Sequence, residues 1–421
     1  MAWMTRLHAG LALPPEVIGG KAHGLVLLHR LGLPVPAGFV VTTEACRAYL
    51  RDGRLPDGLR DELGTISSPA VSVRSGAAVS MPGMMDTILD LRTDAPERLA
   101  AAVESVFSSW NTPRARTYRT LHGIPHDLGT AVVVQDMVFG DRDAHSGSGV
   151  AFSRHPDTGE NTPFGEVLFG QQGDAVVSGR SRTRPLPDLA TREPVVWRHL
   201  LDALRRIEQH YRDACYVEFT YESGTLWLLQ VRPGHFTGAA AVRLAVDLAD
   251  EGAITRAEAV RRVTPHDLRH ARTPRTADAE VLARGLGVCP GVAIGRIALT
   301  ADDAVRMAAG GPVVLVRQET SPEDIRGLAA ATGVVTALGG PASHAAVVAR
   351  SMGKPAVVGV TDLAVAADSI TLGGRTLAEG TLVTIDGTSG EVALGRARVV
   401  TGGADPRLRR LLDWGNEKSG F

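Results

Sequence analysis

The sequence predicts a protein of mixed α and β structure, α+β or α/β, with two compact domains. Helix-like stretches such as ERLAAAVESVFSSW alternate with short β-rich runs such as AVSVRS and TAVVVQDMVF between about residues 10 and 235. After a helical stretch and a charged, Pro-containing segment, a second unit rich in Gly, Ala and Val runs from about Leu282 to Val399. Elements mixed at this spacing are typical of enzyme domains, because each apolar strand face must be covered by another layer.

The strand-like runs of the first part are GFVVTT, AVSVRS, TAVVVQDMVF, GVAFSR and GTLWLLQVR. Apolar residues at helical spacing in AAVRLAVDLADEG and TRAEAVRRV predict a helical connector, which ends in the linker TPHDLRHARTPRTADAE. In the second unit, VAIGRIAL, PVVLVRQ, GVVTA, AVVGV, LVTIDG and EVALG surround one short helix, SHAAVVARSMG. We therefore predict domains at 1–235 and 281–400, a connector and linker at 236–280, and a tail at 401–421 with a short helix in PRLRRLLDWG.

Composition excludes several classes of protein. With 45 basic and 46 acidic residues among 421, the net charge is −1, which argues against nucleic acid and basic membrane-surface binding. Cys46, Cys215 and Cys289 lie far apart, so neither a disulfide framework nor a structural zinc site is expected. No run approaches the roughly 18 apolar residues of a membrane-spanning helix, and the first residues have no signal-peptide core. We expect a cytoplasmic protein.

Lysine is rare in this chain. Only Lys21, Lys354 and Lys418 supply lysine among the 45 basic residues. An internal lysine therefore marks a place where a compact ammonium that can lose its proton is needed in preference to a guanidinium. Lys354 follows Gly353 at the end of a predicted helix, so a role as a charge at a helix C-terminus is an adequate explanation for it.

The most specific stretch runs from Thr336 to Gly359, TALGGPASHAAVVARSMGKPAVVG. A β-like run ends in a glycine pair, Ser343 is a natural N-cap, and His344 falls at the first helical position. Because a helix N-terminus has free N–H groups and a partial positive charge, it is well suited to hold a phosphoryl group. His344 is thus a candidate nucleophile. The alternative is a buried structural histidine, which the paired glycines and the small residues beside His344 make less attractive.

This stretch closely resembles the phosphohistidine motif of the pyruvate phosphate dikinase family and of its relative phosphoenolpyruvate synthase. MPGMMDT, from Met81, points to the dikinase. The resemblance implies a two-lobed ATP-grasp domain followed by a small swivelling phosphohistidine domain. Four further stretches resemble the nucleotide-binding half and one belongs to the swivelling domain; they are Gly19–Cys46, Val71–Leu91, Gly129–Glu160 and Val217–Gly234, and then Glu319–Gly333.

The resemblance implies roles for individual residues, with ATP and Mg²⁺ as the cofactors. The predicted catalytic residues are His344 and three phosphate contacts, Lys21, Arg74 and Arg232, whose charges suit a polyphosphate. Glu218 and Gln230 match the magnesium ligands, and oxygen donors are what Mg²⁺ prefers. The remaining nucleotide contacts are the loop that includes Met81 and Pro82 with Gly83, the adenine-facing backbone at Gln135, Met137 and Val138, and the close approach at Gly147 and Gly149.

Three positions depart from the family pattern. Tyr216 stands where an aspartate usually precedes the metal-binding glutamate, which puts metal binding in question. Leu338 and Ala342 replace the usual Arg and Thr beside His344. The first change removes a charge near the phosphohistidine, and the second removes a position that some relatives use for regulatory phosphorylation.

Family dikinases continue into a C-terminal (β/α)8 barrel that binds pyruvate, and such a barrel needs about 250 residues. After residue 400 this sequence has 21. We therefore expect a phosphotransferase that autophosphorylates on His344 and passes the phosphoryl group to a small-molecule acceptor. Two alternatives stay open: half of a split dikinase that donates to a barrel on a separate protein, and a non-catalytic nucleotide-binding phosphocarrier. The intact charged residues argue against the last, and Tyr216 is in its favour.

Overall fold

The structure, a computed structural model, describes residues 2–81, 83–173, 183–271, 274–277, 279–401 and 405–416. Pro82 of the predicted phosphate loop and Lys418 lie outside the described residues. The predicted mixed α and β class is confirmed. By internal contacts the chain forms two units: the first runs to Ser148 and includes Phe169–Gln172 and Val217–Arg232, and the second comprises Gly149–Leu168, Gly173–Tyr216 and the chain from Pro233 onward.

The first unit is built on an antiparallel sheet with the strand order β1-β2-β5-β3-β4. Its strands are β1 (Met4–Arg6), β2 (Gly38–Val41), β3 (Ala70–Gly76), β4 (Thr87–Arg92) and β5 (Ala131–Asp136). The apolar runs AVSV and AVVV form the inner strands β3 and β5, whose side chains are almost all buried. The helices are α1 (Pro15–Arg30), α2 (Thr43–Asp52), α3 (Leu59–Gly64), α4 (Pro96–Ser109) and α5 (Pro113–Leu121).

A kink in α1 brings this helix against β3. Gly19 has φ 74° and ψ 157° inside the helix, a conformation that favours glycine. A Cβ at this position would lie 1.5 Å from the carbonyl oxygen of Gly76, so only glycine permits the approach. The next residue, Gly20, donates its N–H to the carbonyl oxygen of Ala77 at 3.0 Å. Lys21 is therefore held beside the end of β3.

The middle of the chain contributes both to the first unit and to the second. Its strands are β6 (Gly147–Phe152), β7 (Phe164–Phe169), β8 (Arg184–Pro185), β9 (Cys215–Glu222) and β10 (Thr225–Pro233), and its helices are α6 (Asp188–Arg192) and α7 (Pro194–Tyr211). Strands β9 and β10 are adjacent and joined by a two-residue turn, Ser223-Gly224, in which both residues have positive φ. Glycine at the second turn position suits this geometry.

The stretch predicted as a helical connector forms the helices α8 (Gly238–Asp250), α9 (Arg256–Arg262) and α10 (Pro265–His270). The short helix predicted in PRLRRLLDWG is also present, as α14 (Pro406–Asn416). Its Leu408, Leu411 and Trp414 are buried in a core cluster with apolar side chains of α8. Arg407 and Arg410 form ion pairs with Asp247 and Asp250 of α8. The segment predicted as a polar tail thus packs on the connector through an apolar face.

The remaining chain forms a mixed sheet with the order β12-β22-β21-β14-β15-β16-β17-β13 within the described residues. Strands β14 to β17 are parallel neighbours, and the other pairs are antiparallel. In the same part of the chain β11 pairs with β23, and β18, β19 and β20 form a three-stranded sheet. The strands of the three sheets are β11 (Pro274–Ala277), β12 (Val281–Arg284), β13 (Leu286–Cys289), β14 (Val292–Ala298), β15 (Val313–Arg317), β16 (Gly333–Thr336), β17 (Ala356–Val358), β18 (Leu363–Val365), β19 (Ser369–Leu372), β20 (Arg375–Ala378), β21 (Leu382–Asp386), β22 (Glu391–Leu394) and β23 (Arg398–Thr401).

The prediction of one short helix in this part was wrong, because α11 (Ala301–Ala308) and α12 (Ile325–Ala330) accompany the predicted α13 (His344–Met352). Thr300 caps α11 by accepting the N–H of Asp303 at 3.1 Å. Thr followed three residues later by Asp is a helix-start signal that the strand-rich surroundings obscured. Lys354 also differs from its prediction. Its ammonium donates to the carbonyl oxygens of Leu328, Ala329 and Ala331, so it caps α12 and not the helix it follows.

Arg154 ties the connector to the segment after β6. Its side chain is 1% exposed, and Nη2 lies 2.7 Å from Glu208 of α7 and 2.6 Å from Glu251 at the end of α8. Replacing Arg154 with Met leaves Glu208, which is 17% exposed, and Glu251, which is 40% exposed, without the buried guanidinium that they share, so we expect the free energy of unfolding to fall by about 3 kcal/mol. Chemical denaturation measures it. Arg98→Met, which breaks the exposed pair with Asp94, is the control and should change little. Equal losses in both variants would contradict this prediction.

Candidate functional site

Four of the predicted nucleotide residues lie together in the first unit. Arg74 on β3 donates from Nη2 to Glu218 Oε2 at 2.8 Å and to Gln230 Oε1 at 3.5 Å. Its Nη1 donates to the carbonyl oxygen of Leu229 at 2.8 Å. Arg74 is 8% exposed, and Glu218 and Gln230 are half-buried. The guanidinium thus joins β3 to β9 and β10 in a polar cluster with little water around it.

Strand periodicity explains part of this arrangement. Gln230 and Arg232 are two residues apart on β10, so their side chains leave the same face of the strand. Glu218 lies on the adjacent strand β9. The sequence therefore delivers one carboxylate, one amide and one guanidinium to neighbouring strands.

Lys21 interacts electrostatically with Arg74 and Glu218 of this cluster. Burial is the main cause that lowers the pKa of Lys21, the charge of Arg74 lowers it further, and Glu218 opposes them, which leaves the pKa at about 7. A lysine with this pKa exchanges its proton near neutral pH. A compact ammonium that can lose its proton is also what the rarity of lysine in the sequence predicts for an internal lysine.

The other predicted nucleotide residues are placed as follows. Met81 is buried and Gly83 exposed in a turn in which the N–H of Met84 donates to the carbonyl oxygen of Met81 at 3.2 Å. Gln135 lies inside the sheet between Gly38 and Ser72, with its side-chain Nε2 on the carbonyl oxygen of Pro36 at 3.1 Å. Met137 and Val138 follow the end of β5, and Gly147 and Gly149 are buried on β6. The described contacts do not join these residues to the Arg74 cluster.

The cluster around Arg74 offers few side chains that could bind a magnesium ion. No group of three or more His, Cys, Asp or Glu side chains able to hold a metal occurs within the described ranges. Glu218 and Gln230, however, direct one oxygen each at the same atom, Arg74 Nη2, at 2.8 and 3.5 Å. Convergent oxygens completed by phosphate and water are what Mg²⁺ takes beside a nucleotide, so this pair fits the ion.

In the second unit, His344 is the first residue of α13, as predicted. Its Nδ1 shares a hydrogen bond of 3.0 Å with Thr320 Oγ1. Its Nε2 is buried and has no hydrogen-bond partner among the described residues. Burial lowers the pKa of His344 to about 4, although the charges of Asp324 and Glu323 act in the opposite direction. The imidazole is therefore neutral at physiological pH, which is the state that can act as a nucleophile.

Ser343 occupies the predicted N-cap position, but its side chain makes no capping hydrogen bond. Its Oγ is buried and also has no partner within the part of the chain that the structure describes. The first amides of α13 are therefore not satisfied by the side chain that usually satisfies them. A buried hydroxyl and uncapped amides next to a neutral histidine are suited to an incoming anion.

The loop before His344 is held by Glu166 of β7. Glu166 Oε2 accepts the N–H of Ala342 at 2.9 Å, and Oε1 accepts the hydroxyl of Thr183. Burial raises the pKa of Glu166, against the effect of these hydrogen bonds. A Cβ on Gly340 would lie 1.9 Å from Glu166 Oε1, so a larger residue here would have to displace this carboxylate.

Arg350, on the same helix as His344, makes a second attachment. Its Nε and Nη2 donate to the two oxygens of Asp157 at 3.2 Å each, and Nη1 donates to the carbonyl oxygen of Pro341 at 2.5 Å. Both side chains of the pair are largely buried, at 16% and 11% exposure. A bidentate pair of this kind fixes orientation as well as distance.

The three departures from the family pattern have distinct surroundings. Tyr216 is buried with its ring 4.9 Å from that of Phe152, and Ala342 belongs to the same apolar cluster. Two of the three positions, Tyr216 and Ala342, thus lie in one core cluster of the second unit. Leu338 is 43% exposed. No local pattern in the sequence links Tyr216 to Ala342.

Sequence reasoning missed two residues that contact the His344 segment. Thr320 lies in ETSPED, directly before a capping box formed by Ser321 and Asp324. That local signal could have marked it as a fixed position. Glu166 carried no such signal, because its partners Ala342 and Thr183 are distant or unremarkable in sequence.

None of the helices within the described ranges combines the length and the apolar character needed to cross a membrane.

Two family models match the chain. The AMP/ATP-binding domain of pyruvate phosphate dikinase matches residues 15–69 and 57–188, and the mobile domain of PEP-utilising enzymes matches residues 310–390. Among solved structures, D-alanyl-alanine synthetase A from Vibrio cholerae has a TM-score of 0.33 at 11% identity, covering 60% of this chain and 65% of that one. D-alanine–D-alanine ligase from Bacillus anthracis complexed with ATP has a TM-score of 0.27 at 13% identity, covering 59% and 66%. Likeness at this level does not establish a common fold.

Curated relatives match almost the whole chain. Chloroplastic pyruvate, phosphate dikinase from Flaveria trinervia is 35% identical over 96% of this chain and 54% of its own length. The dikinase from Clostridium symbiosum is 34% identical over 99% of this chain and 60% of its length, and that from Rhizobium meliloti is 34% identical over 96% and 59%. The chain therefore spans little more than half the length of these relatives. Since the matches include both the segment with Lys21 and Arg74 and the segment with His344, the chain belongs to the pyruvate phosphate dikinase family.

Proposed function

We propose that the protein is an ATP-dependent phosphotransferase of the dikinase type that carries a phosphoryl group on His344. The single observation that carries the proposal is the state of this histidine. It is neutral at the start of a helix, and its buried Nε2 has no partner among the described residues. A structural histidine buried in this way normally has both nitrogens satisfied.

The cluster around Arg74 supports a role in nucleotide binding. Lys21, Arg74 and Arg232 would supply positive charge to the phosphates. The guanidinium of Arg74 is already held by Glu218 and by the carbonyl oxygen of Leu229, so it would not need to reorganise during transfer. Glu218 and Gln230 would hold Mg²⁺, which when bound supplies neutralisation of the phosphate charge. We include Met81, Gly83, Gln135, Met137, Val138, Gly147 and Gly149 as the remaining proposed nucleotide contacts.

On the histidine side, the chain's residues orient and shield the nucleophile. Glu166 and Arg350 fix the loop from Pro341 to Ala342 that leads into His344. Burial keeps the ring from taking up a second proton at any pH well above 4. The uncapped amides of α13 and the hydroxyl of Ser343 would receive the oxygens of the transferred group. In this proposal the 281–400 domain would turn on its linker to present phosphorylated His344 to the acceptor.

The acceptor is proposed to be a small molecule. The relatives are named for pyruvate, which makes pyruvate one acceptor to test directly. Transfer to a separate barrel-containing protein is the alternative outcome of the same test.

The free, buried cysteines support a cytoplasmic location.

The test is incubation with Mg²⁺ and ATP labelled at the β or the γ phosphate. The proposal expects label on the protein, up to one group per chain, that is lost in acid and stable in alkali, as for a phosphoramidate. Subsequent addition of pyruvate, or of a partner fraction, asks which acceptor removes it. If the protein binds nucleotide but never acquires acid-labile label, the proposal fails and the non-catalytic alternative is favoured.

Lys21 gives a prediction for pH dependence. Its pKa of about 7 without ligand leaves it mostly neutral at pH 8, whereas bound phosphates favour the ammonium and raise the pKa. Nucleotide binding at pH 8 is therefore expected to take up close to one proton, and affinity falls as pH rises above 7. Calorimetry in buffers of different ionisation enthalpy measures this uptake. Lys21→Met should abolish it at pH 8, and an unchanged uptake in that variant would assign the proton to another group.

A further inference from the structure

Thr320 is the direct neighbour of His344 Nδ1, at 3.0 Å. It is 8% exposed, so bulk water competes little for this hydrogen bond. The other ring nitrogen, Nε2, is buried and has no partner in the described part of the chain. The two nitrogens of one imidazole are thus in very different environments, and Thr320 is what distinguishes them.

Two tautomers are compatible with this geometry. If the threonine hydroxyl donates to Nδ1, the ring proton sits on Nε2 as a buried N–H with no acceptor. If Nδ1 carries the proton and donates to Thr320 Oγ1, Nε2 has a free lone pair. A buried orphan N–H is rarer and costlier in proteins than an unsatisfied acceptor, which favours the second arrangement.

The turn that follows Thr320 in the chain restrains its position. The next residue, Ser321, forms a capping box with Asp324, in which the N–H of Ser321 donates to Asp324 Oδ2 at 2.9 Å and the Ser321 side chain accepts the N–H of Asp324. The N–H of Asp324 also donates to the carbonyl oxygen of Ser321 at 3.0 Å. Asp324 is buried and lies 3.5 Å from Arg317 Nε. A residue at the edge of such a closed turn has little freedom to move its hydroxyl away from the ring.

We infer that Thr320 is a positioning residue that holds the proton of His344 on Nδ1 and so directs phosphoryl transfer to Nε2. The inference rests on the proposed function. In the step itself, the Nε2 lone pair forms the N–P bond while the P–O bond to the leaving phosphate oxygen of the nucleotide breaks and that oxygen keeps the electron pair. The Nδ1 proton stays in place, and the positive charge that develops on the ring is stabilised by its hydrogen bond to Thr320 and by the carboxylates of Glu323 and Asp324.

The carboxylates of Glu323 and Asp324 are the charged groups that act on His344, and both favour its protonated form. They cannot protonate it at neutral pH against the effect of burial, which leaves the pKa at about 4. Their contribution therefore becomes useful only as charge develops during transfer.

The test compares Thr320→Val, which is nearly isosteric and cannot hydrogen-bond, with Thr320→Ser, which keeps the hydroxyl. Nitrogen-15 NMR of the histidine rings in the unphosphorylated protein reads the tautomer without any turnover. We expect Nδ1 protonated in the wild type and the serine variant, and a mixture of tautomers in the valine variant. Losing the outer partner of a functional histidine costs about 10- to 100-fold in metal sites, and we expect a similar loss of the labelling rate in Thr320→Val, with KM for ATP unchanged.

Thr384→Val is the matched control. Thr384 is buried in the same unit, and its hydroxyl donates to the carbonyl oxygen of Gly395 at 2.7 Å and does not contact His344. It should lose stability without a change of tautomer. A proton on Nε2 in the wild type, or a valine variant with wild-type tautomer and rate, overturns the inference. Absence of label in the wild type would instead defeat the proposed function, while the NMR result would still decide the role of Thr320.

Discussion

Replacing His344 with Ala is expected to remove acid-labile phosphoryl label from the protein, a loss of at least about 10³-fold in rate. The side chain is the proposed covalent acceptor, so no neighbouring group can replace it. Label incorporation from β- or γ-labelled ATP, resolved before and after acid treatment, measures the effect. Nucleotide binding should be unchanged, because the residues proposed to hold the phosphates lie in the first unit.

His29 supplies the matched control for this experiment. It also has a buried Nε2 without a hydrogen-bond partner among the described residues, and burial also lowers its pKa. It differs in position, because it lies in the last turn of α1, where the helix presents carbonyl groups and not amides. His29→Ala should therefore label at the wild-type rate per folded molecule. Label that survives in His344→Ala, or that disappears in His29→Ala, contradicts the assignment.

The pH profile sharpens the same prediction. Because the pKa of His344 is lowered to about 4, its neutral form predominates well below pH 6. We expect no loss of labelling rate from His344 protonation between pH 8 and pH 5, in contrast to a solvent-exposed histidine, whose nucleophilic form declines near pH 6.5. A rate that falls with a midpoint near pH 6.5 would show that the ring is not buried in the reacting state.

The histidine motif could be predicted because its signals are local. A glycine pair, a serine and a histidine in close succession predict where α13 begins, and the helix does begin at His344. The same local reasoning assigns Ser343 a capping hydrogen bond that does not form, and it assigns Lys354 to the wrong helix. For Lys354 the reason is a partner that is near in space and distant in sequence. Its ammonium lies close to the carbonyl groups that end α12, more than twenty residues earlier in the chain.

Contacts that join distant segments could not be predicted from the sequence. Nothing near Glu166 indicates that its carboxylate will accept the amide of Ala342, 176 positions away. Similarly, Tyr216 and Ala342 are two separate departures from a pattern in the sequence, and only the fold places them in one apolar cluster. Residue type limits what a side chain can bind, whereas the partner it meets depends on the packing of elements that are far apart in the chain.

After replacement of His344, replacement of Arg74 is expected to lower the labelling rate most. Arg74→Met is expected to lower the labelling rate by about 10²- to 10³-fold, the usual cost of removing one fixed charge from a transferring group. It also leaves Glu218, half-buried and 2.8 Å from the guanidinium, without that partner. Arg74→Lys keeps the charge but loses the fork that reaches Leu229, Glu218 and Gln230 together, so it should recover only part of the rate. Single-turnover labelling, with nucleotide affinity from calorimetry, measures both variants.

The control for Arg74 is Arg119, a fully buried arginine of the same unit that stacks on Trp110 at 4.1 Å and donates to its carbonyl oxygen at 2.6 Å. Arg119→Met should reduce stability and leave the labelling rate per folded molecule unchanged, which separates loss of a buried charge from loss of a phosphate contact. A double variant with Glu218→Gln then tests the reason for the effect. If Arg74 acts mainly by holding Glu218 in place, the two losses will not add. If it acts mainly on the phosphates, the double variant will be worse than either single change, and a wild-type rate in Arg74→Met would exclude both roles.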